Sequence, residues 1–164
     1  MLPAMAEDMS ARPNTWHWPP LLYGAVLFAA MALEQIAPLP AMPGGSATKD
    51  IGLGLLVFGL VLGAMAIVQF VHAGTPVDPT ARAKALVTTG VYRFTRNPMY
   101  LGMVNVYLGA GTVFGSSWLV VLAVVMAFAL ARLAIVREEA YLTARFGDAY
   151  RAYQAATPRW LGPV

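Results

Sequence analysis

The chain has 164 residues, of which 59% are hydrophobic and only 12% are charged. Because a soluble domain carries about a quarter charged residues, this composition excludes an ordinary soluble domain and indicates a single integral membrane domain. The formal net charge is +3, and cysteine is absent, which excludes disulfides, thiolate nucleophiles and cysteine-based metal sites. With two histidines in the whole chain, we expect no metal centre.

Four apolar blocks follow one another along the chain and approach the length of about 20 residues that a helix needs to cross a bilayer. The irregular segment 1–18 precedes the first block, and Trp16 and Trp18 are typical of interfacial anchors. We therefore predict an all-α membrane bundle over 1–164, with transmembrane helices at 20–37, 51–71, 99–114 and 118–136.

The first two predicted spans contain few polar residues. Glu34 lies near the end of the first span, where its carboxylate either reaches the interface or contributes to a substrate path. Gly59 and Gly63 form a small-xxx-small pattern that favours close helix contact in the second span. The glycines at 52–54 do not continue into a dinucleotide-binding fingerprint, because Val57 occupies the third glycine position.

The connection 73–97 is longer than most, which is typical of a functional or disordered segment. At its end Asn97 is a suitable N-cap and Pro98 a suitable first helical residue, so the third span is expected to begin there.

The turn at 115–117 is short, so the third and fourth spans are expected to form an antiparallel hairpin. After Arg137 an apolar stripe that includes Phe146 and Tyr150 predicts that the helix continues as an amphipathic C-terminal segment over 137–160.

Basic residues concentrate in the middle connection and the C-terminal end, whereas the other two connections carry almost none. By the positive-inside rule, the middle connection and both termini are expected to face the cytoplasm. The elements 73–97 and 137–160 therefore share one side of the membrane.

Polar residues of these two elements form the candidate site. Arg96, with its arginine and tyrosine neighbours, begins the predicted hairpin, and the pair Glu138 and Glu139 follows its end. Spacing alone leaves two readings open, a ligand site or an Arg-Glu ion-pair belt that holds the hairpin together.

These motifs carry a family resemblance. The first is Leu86-Val87-Thr88-x-Gly90-x-Tyr92-Arg93-x-x-Arg96-Asn97-Pro98-Met99-Tyr100-x-Gly102. The second, after one further apolar span, is Glu138-Glu139-x-x-Leu142-x-x-x-Phe146-Gly147-x-x-Tyr150-x-x-Tyr153. Their order and spacing over roughly 74–160 resemble the isoprenylcysteine carboxyl methyltransferase and phospholipid methyltransferase superfamily, in its bacterial integral membrane form.

The resemblance implies an S-adenosylmethionine-dependent methyltransferase of the bacterial inner membrane, with a lipophilic or amphiphilic substrate and no nucleic-acid partner. Carried over residue by residue, it implies that the cofactor contacts Leu86, Val87, Tyr92, Asn97, Pro98, Met99, Tyr100 and Glu138. We predict Arg96 and Glu139 as the catalytic residues beside them.

Two positions depart from the family pattern. Asn97 stands where the family often has histidine, which removes a titrating imidazole but keeps a hydrogen-bonding amide. Ala134 stands where the resemblance to the eukaryotic carboxyl methyltransferases implies a substrate-binding arginine, and Arg132 or Arg137 is the predicted substitute.

Methyl transfer from a sulfonium is an in-line displacement, so positioning and exclusion of water are the main tasks of the protein. A carboxylate acceptor needs no base, whereas an amine or thiol must lose a proton, for which Glu139, Tyr100 or His72 is the candidate acceptor. The most direct expectation is an isoprenylcysteine-carboxyl-methyltransferase-like enzyme. The alternatives are a phospholipid N-methyltransferase, a non-enzymatic membrane scaffold and, more remotely, a sterol-type reductase.

Overall fold

The computed structural model describes residues 18–42, 44–78 and 81–162, so the predicted interfacial segment 1–18 lies outside the described residues except for Trp18. Helices dominate this part of the chain, and no strand occurs in it. The predicted all-α class is confirmed for the described residues.

The helices are numbered in chain order. They are α1 Trp18–Ile36, α2 Ser46–His72, α3 Pro98–Phe114, α4 Ser117–Leu130, α5 Val136–Phe146 and α6 Asp148–Ala156. A short 3₁₀ helix, Gly90–Arg93, precedes α3, and a π-helical segment, Ala131–Ile135, joins α4 to α5.

Among the described residues, three helical stretches are long and apolar enough to cross a membrane, namely Pro19–Ile36, Ser46–His72 and the continuous run Ser117–Phe146. They correspond to the first, second and fourth predicted spans. The third predicted span corresponds to α3, which has 17 residues and therefore lies at the short end of the range of about 17–25 for a spanning helix.

The chain divides into two compact units. The helix unit contains Pro19–Gly63 and Met99–Leu130, and the loop unit contains Ala64–Pro98 and Ala131–Val164. The predicted site residues of the middle connection and of the Glu-Glu pair belong to the loop unit, whereas Met99 and Tyr100 belong to the helix unit.

Glycines bring α2 and α3 together in the helix unit. A Cβ at Gly59 would meet the carbonyl oxygen of Gly102, and a Cβ at Gly109 would meet the backbone of Gly52 and Leu56 at 2.5 Å. These contacts run in opposite order along the two helices, so this part of α2 lies antiparallel to α3. Small residues allow such backbone approach between helices in a membrane.

The predicted small-residue face is confirmed at Gly59 and Gly63. A Cβ at Gly63 itself would meet nothing within 4 Å, but a Cβ at Gly102 would lie 2.7 Å from the Gly59 carbonyl oxygen and 3.1 Å from the Gly63 backbone nitrogen. A further close contact lies seven residues before Gly59, where Gly52 on α2 opposes Gly109 on α3.

Polar contacts fix the connection between α3 and α4 within the same unit. The Ser116 hydroxyl donates to a carboxylate oxygen of Glu34 at 2.7 Å, and the Trp118 indole N–H donates to the carbonyl of Ala37 at 2.7 Å. Gly115 adopts a φ of 73°, which favours glycine at this turn. Glu34 thus has a structural hydrogen bond at the end of α1.

The prediction of one continuous amphipathic C-terminal helix is wrong. The structure has two helices, α5 and α6, because Gly147 adopts a φ of 55° and a ψ of −126°, which a helix cannot continue through. The Gly147 N–H still donates to the carbonyl of Thr143 at 2.9 Å, so the end of α5 is capped before the chain turns into α6.

Candidate functional site

The centre of the candidate site is the carboxylate of Glu139, which binds two guanidinium groups in the loop unit. Arg159 donates from Nε to Oε1 at 2.9 Å and from its terminal nitrogen to Oε2 at 2.6 Å. Arg96 donates to Oε1 at 2.8 Å. The Glu139 and Arg96 side chains are only 12% and 11% exposed, so this charge cluster is largely withdrawn from solvent.

The π-helical segment sets the direction in which Glu139 points. It carries one more residue per hydrogen-bonded turn than an α-helix, and its hydrogen bonds run from residue i to i+5. Ala134 and Ile135 are buried within it, and Glu138 and Glu139 follow in the first turn of α5. The segment therefore rotates the acidic pair relative to the regular continuation of α4.

The segment that contains Arg96 is bound by an extended piece of chain after α6. The Arg96 backbone N–H donates to the carbonyl of Pro158 at 2.9 Å, and its Nε donates to the carbonyl of Thr157 at 2.9 Å. The Thr95 hydroxyl donates to the carbonyl of Arg159 at 3.2 Å. These bonds fix the backbone immediately before α3.

Asn97 takes part in the same network. Helix α3 begins at Pro98, which confirms the predicted start. The Asn97 side-chain amide donates to the carbonyl of Arg159 at 2.9 Å, and its backbone N–H donates to the Thr95 hydroxyl at 3.2 Å. Asn97 is buried. Its side-chain amide has two N–H donors, whereas the neutral imidazole of a histidine would have only one.

Gly90 is required by two features of the loop. Its φ is +58°, and a Cβ at this position would collide with the Gln69 side chain. The Gln69 amide, in the orientation that satisfies both neighbours, donates to the Thr89 carbonyl and accepts from the Val91 N–H at 3.0 Å. The end of α2 thereby holds the start of the 3₁₀ helix.

Tyr92 is anchored from two directions within the loop unit. Its ring stacks on Phe70 with centroids 5.3 Å apart, and its carbonyl accepts a hydrogen bond from the Tyr153 hydroxyl at 2.7 Å. The residue is only 5% exposed. The predicted cofactor tyrosine is therefore held rigidly between α2 and α6.

Burial dominates the titration of the tyrosines around the charge cluster. It raises the pKa values of Tyr92 and Tyr153 well above the usual value, and raises the pKa of Tyr150 to about 12. The Glu139 charge adds to the effect on Tyr150, and Arg96 opposes it. The hydrogen bond from Arg159 to Glu139 raises the pKa of that guanidinium.

An open cleft of about 470 Å³ lies beside this network. Its volume is within the range of about 300–1,000 Å³ that is typical of small-molecule sites. The Arg93 side chain is exposed and makes no hydrogen bond or ion pair with the described residues. The lining residues are Thr88, Arg93, Ala149, Tyr153, Ala156 and Thr157.

The structure brings some of the predicted site residues together. Arg96 and Glu139 form an ion pair, and Asn97 shares their network through Arg159. Val87 and Tyr92 are buried in the loop that borders the cleft, and Leu86 and Glu138 are partly buried in the same unit. The predicted substrate residues, Arg132 and Arg137, are both exposed.

Sequence reasoning missed Arg159 and the chain segment around it. Thr157 and Arg159 lie about sixty residues from Arg96 and Asn97, so no helical or strand periodicity could connect them. The one available signal was Pro158, which cannot continue a helix and therefore indicates that α6 ends before the tail turns back.

Comparison with known proteins identifies a family and related proteins. The sequence model of the phospholipid methyltransferase family matches residues 48–149. The protein-S-isoprenylcysteine O-methyltransferase of Schizosaccharomyces pombe is 32% identical over 108 residues, which are 65% of this chain and 46% of that protein. The chain thus matches slightly less than half the length of that relative.

A second relative, an uncharacterized protein of Haemophilus influenzae, is 37% identical over 65 residues, which are 38% of this chain and the whole of that protein. No solved structure matches. Within the described part of the chain, no group of three or more histidine and acidic side chains is arranged to hold a metal ion.

Proposed function

Because this chain belongs to the phospholipid methyltransferase family, we propose that it is an integral membrane enzyme that uses S-adenosylmethionine to methylate a lipophilic or amphiphilic acceptor. One observation supports the proposal above all: an ion pair between Arg96 and Glu139 joins the two motif segments beside a cleft of ligand size. The S. pombe relative favours an isoprenylcysteine-type carboxylate acceptor.

We further propose that α3 is a fourth span and forms an antiparallel hairpin with α4. The short connection at Gly115 and Ser116 supports this arrangement. The active site and both termini would then face the cytoplasm, as the distribution of basic residues predicts. The membrane would be a bacterial inner membrane, as the resemblance to bacterial members of the superfamily implies.

The chemistry of the loop unit fits a polar cofactor with a carboxylate and hydroxyl groups. The cleft offers the hydroxyl of Thr88 and the free guanidinium of Arg93, and its wall includes the Tyr153 ring. We propose that Leu86, Val87, Tyr92, Asn97, Pro98, Met99, Tyr100 and Glu138 contribute to cofactor binding, as the family pattern implies. When bound, S-adenosylmethionine supplies an electrophilic methyl group on a sulfonium.

We propose that the two residues predicted as catalytic, Arg96 and Glu139, act by positioning, and their ion pair supports this. Three hydrogen bonds hold the Glu139 carboxylate, so accepting a proton there would leave two guanidinium groups without their partner. Arg96 and Glu139 therefore suit the alignment of acceptor and methyl carbon better than proton transfer. This arrangement favours a carboxylate acceptor, for which no base is required.

We propose that Arg132 or Arg137 is the arginine that binds the methyl acceptor. Both lie on or next to the π-helical segment and are exposed, so either can reach a substrate headgroup at the interface. Alanine substitution at the correct position is expected to weaken acceptor binding and leave cofactor affinity unchanged.

A second candidate acceptor is a phospholipid amine, because the matching family model describes phospholipid methyltransferases. Incubation of the purified chain with methyl-labelled S-adenosylmethionine and bacterial lipid should distinguish the two. Label in phosphatidylethanolamine-derived lipid supports the amine acceptor, whereas label that alkaline hydrolysis releases as methanol supports a methyl ester.

Calorimetry of the full-length chain in detergent tests the proposal as a whole. We expect saturable binding of S-adenosylmethionine, and weaker binding after Glu138→Ala. Asp148→Ala is the control, because it removes an acidic residue that is exposed at the start of α6. No binding by the folded wild-type chain would overturn the enzymatic proposal in favour of a membrane scaffold.

A further inference from the structure

Three consecutive carbonyl groups after α6 accept hydrogen bonds from the segment before α3. The carbonyls of Thr157 and Pro158 each accept from Arg96, one from the side chain and one from the backbone. The carbonyl of Arg159 accepts from the side chains of Thr95 and Asn97. The tail therefore runs alongside the residues that begin α3.

The side chain of Arg159 attaches this tail to a third element. Its planar guanidinium binds both carboxylate oxygens of Glu139 with bonds of 2.9 and 2.6 Å. Glu139 in turn binds Arg96. Arg159 thus contacts Asn97 through its main chain and Glu139 through its side chain, and closes a ring of bonds that includes both motif segments.

From this geometry we propose that Arg159 is a positioning residue of the cofactor site, acting through Glu139 and Asn97. The inference rests on the proposed function and adds a residue that lies beyond the span 48–149 matched by the family model. Loss of the fork would detach the tail from Glu139 and leave it held by its backbone carbonyls alone, so the carbonyl that accepts from the Asn97 amide would be less firmly placed.

Arginine is better suited to this position than lysine. Its fork supplies two parallel bonds to one carboxylate, whereas an ammonium group acts as a point charge with freely rotating donors. The side chain is 40% exposed, so a change here removes no large apolar surface from the core. Its effect on the site can therefore be separated from a general loss of folding.

The experiment uses the full-length chain in detergent with S-adenosylmethionine as the calorimetric probe. Arg159→Ala is expected to raise the dissociation constant roughly tenfold, because hydrogen bonds to charged groups are the strong ones, while the binding stoichiometry stays at the wild-type value. Arg159→Lys should give an intermediate affinity. Arg151→Ala is the matched control, because Arg151 pairs only with the exposed Asp148, and it should leave affinity unchanged.

Hydrogen exchange supplies a readout that does not depend on the ligand. The Arg96 amide donates to Pro158, so we expect it to exchange faster in Arg159→Ala than in the wild type or in Arg151→Ala. A lower stoichiometry with an unchanged dissociation constant would indicate a purely structural role and overturn the inference. Unchanged exchange at Arg96 would also overturn it.

These outcomes separate the inference from the proposed function. If the wild-type chain does not bind S-adenosylmethionine, the proposed function fails and the cofactor role of Arg159 fails with it, whatever the exchange data show. If the wild-type chain binds and Arg159→Ala binds equally well, only the inference about Arg159 fails.

Discussion

The two units of this chain are stabilised by opposite means. In the helix unit, α2 and α3 approach each other because Gly52, Gly59, Gly102 and Gly109 have no side chains. In the loop unit, charged and hydroxyl groups bind one another around Glu139 and leave no buried side-chain polar atom unpaired among the described residues. A membrane helix pair gains little from apolar burial against lipid, so close packing and polar bonds have to supply specificity.

The two units also constrain the sequence in different ways. In the helix unit the spacing of the glycines determines how closely the helices fit, and a larger residue is excluded because its side chain would collide with the opposite helix. The loop unit depends on pairing, and a wrong residue is excluded because it leaves a buried charge without a partner. Substitutions that change the side chain by a similar volume should therefore destabilise the two units for different reasons.

The largest expected effect is at Glu139. Replacement by alanine leaves the largely buried Arg96 without its carboxylate, and removing one partner of a buried pair costs about 3–5 kcal/mol. The partial exposure of Arg159 places the expected loss at the lower end, about 3 kcal/mol. Chemical denaturation of the detergent-solubilised chain measures the free energy of unfolding.

Asp148→Ala provides the matched control for this prediction. Its ion pair with Arg151 is exposed, so we expect no measurable change in the free energy of unfolding. Equal effects of the two substitutions would show that the Glu139 cluster contributes no more than a surface ion pair.

The next effect concerns Gly109 in the helix unit. Gly109→Ala places a methyl group against the backbone of Gly52 and Leu56, which cannot move aside as a side chain would. We expect a loss of about 1–3 kcal/mol, the usual range for overpacking, in the same denaturation experiment.

Gly54→Ala is the control for this substitution, because a Cβ at Gly54 would meet nothing within 4 Å. Since alanine is a better helix former than glycine by about 1 kcal/mol, this variant should be as stable as the wild type or more stable. A stabilising Gly109→Ala would contradict the close approach of α2 and α3.

The smallest effect is a loss of stability in alkali, which should arise in the loop unit. Burial raises the pKa of Tyr150 to about 12, above the value of about 10 in an unfolded chain. Stability is therefore complete below pH 10 and falls as the pH rises from 10 towards 12, because the unfolded state releases the proton first.

Thermal unfolding at a series of pH values, together with tyrosinate absorbance, measures this effect. Tyr150→Phe should reduce the slope of melting temperature against pH above 10. If the slope is unchanged in this variant, ionisation of other groups accounts for the alkaline loss.

Much of the helical framework could be predicted because it depends on local patterns. Apolar blocks located three stretches that can cross a membrane, and the Asn-Pro pair located the start of α3 at Pro98. The proximity of Arg96 and Glu139 was also expected, although spacing could not distinguish a ligand site from an ion-pair belt.

Other features escaped prediction for physical reasons. The fork from Arg159 to Glu139 joins residues of different elements, and neither carries a periodic signal for the other. The break at Gly147 depends on one positive φ, which a glycine permits but does not require. Likewise, the hydrogen bonds of Gln69 to the backbone on either side of Gly90 could not be predicted, because they depend on how the end of α2 packs against the loop.

The π-helical segment Ala131–Ile135 makes the direction of the acidic pair depend on residue number rather than on side-chain identity. Conversion of the segment into a regular α-helix without loss of a residue would turn the following residues by about 100°, the angle per residue of an α-helix. Glu139 follows the segment and Arg96 precedes it, so their ion pair would be lost although every functional side chain was retained. The π-helical turn, rather than any single side chain, thus determines whether the two motif segments can meet.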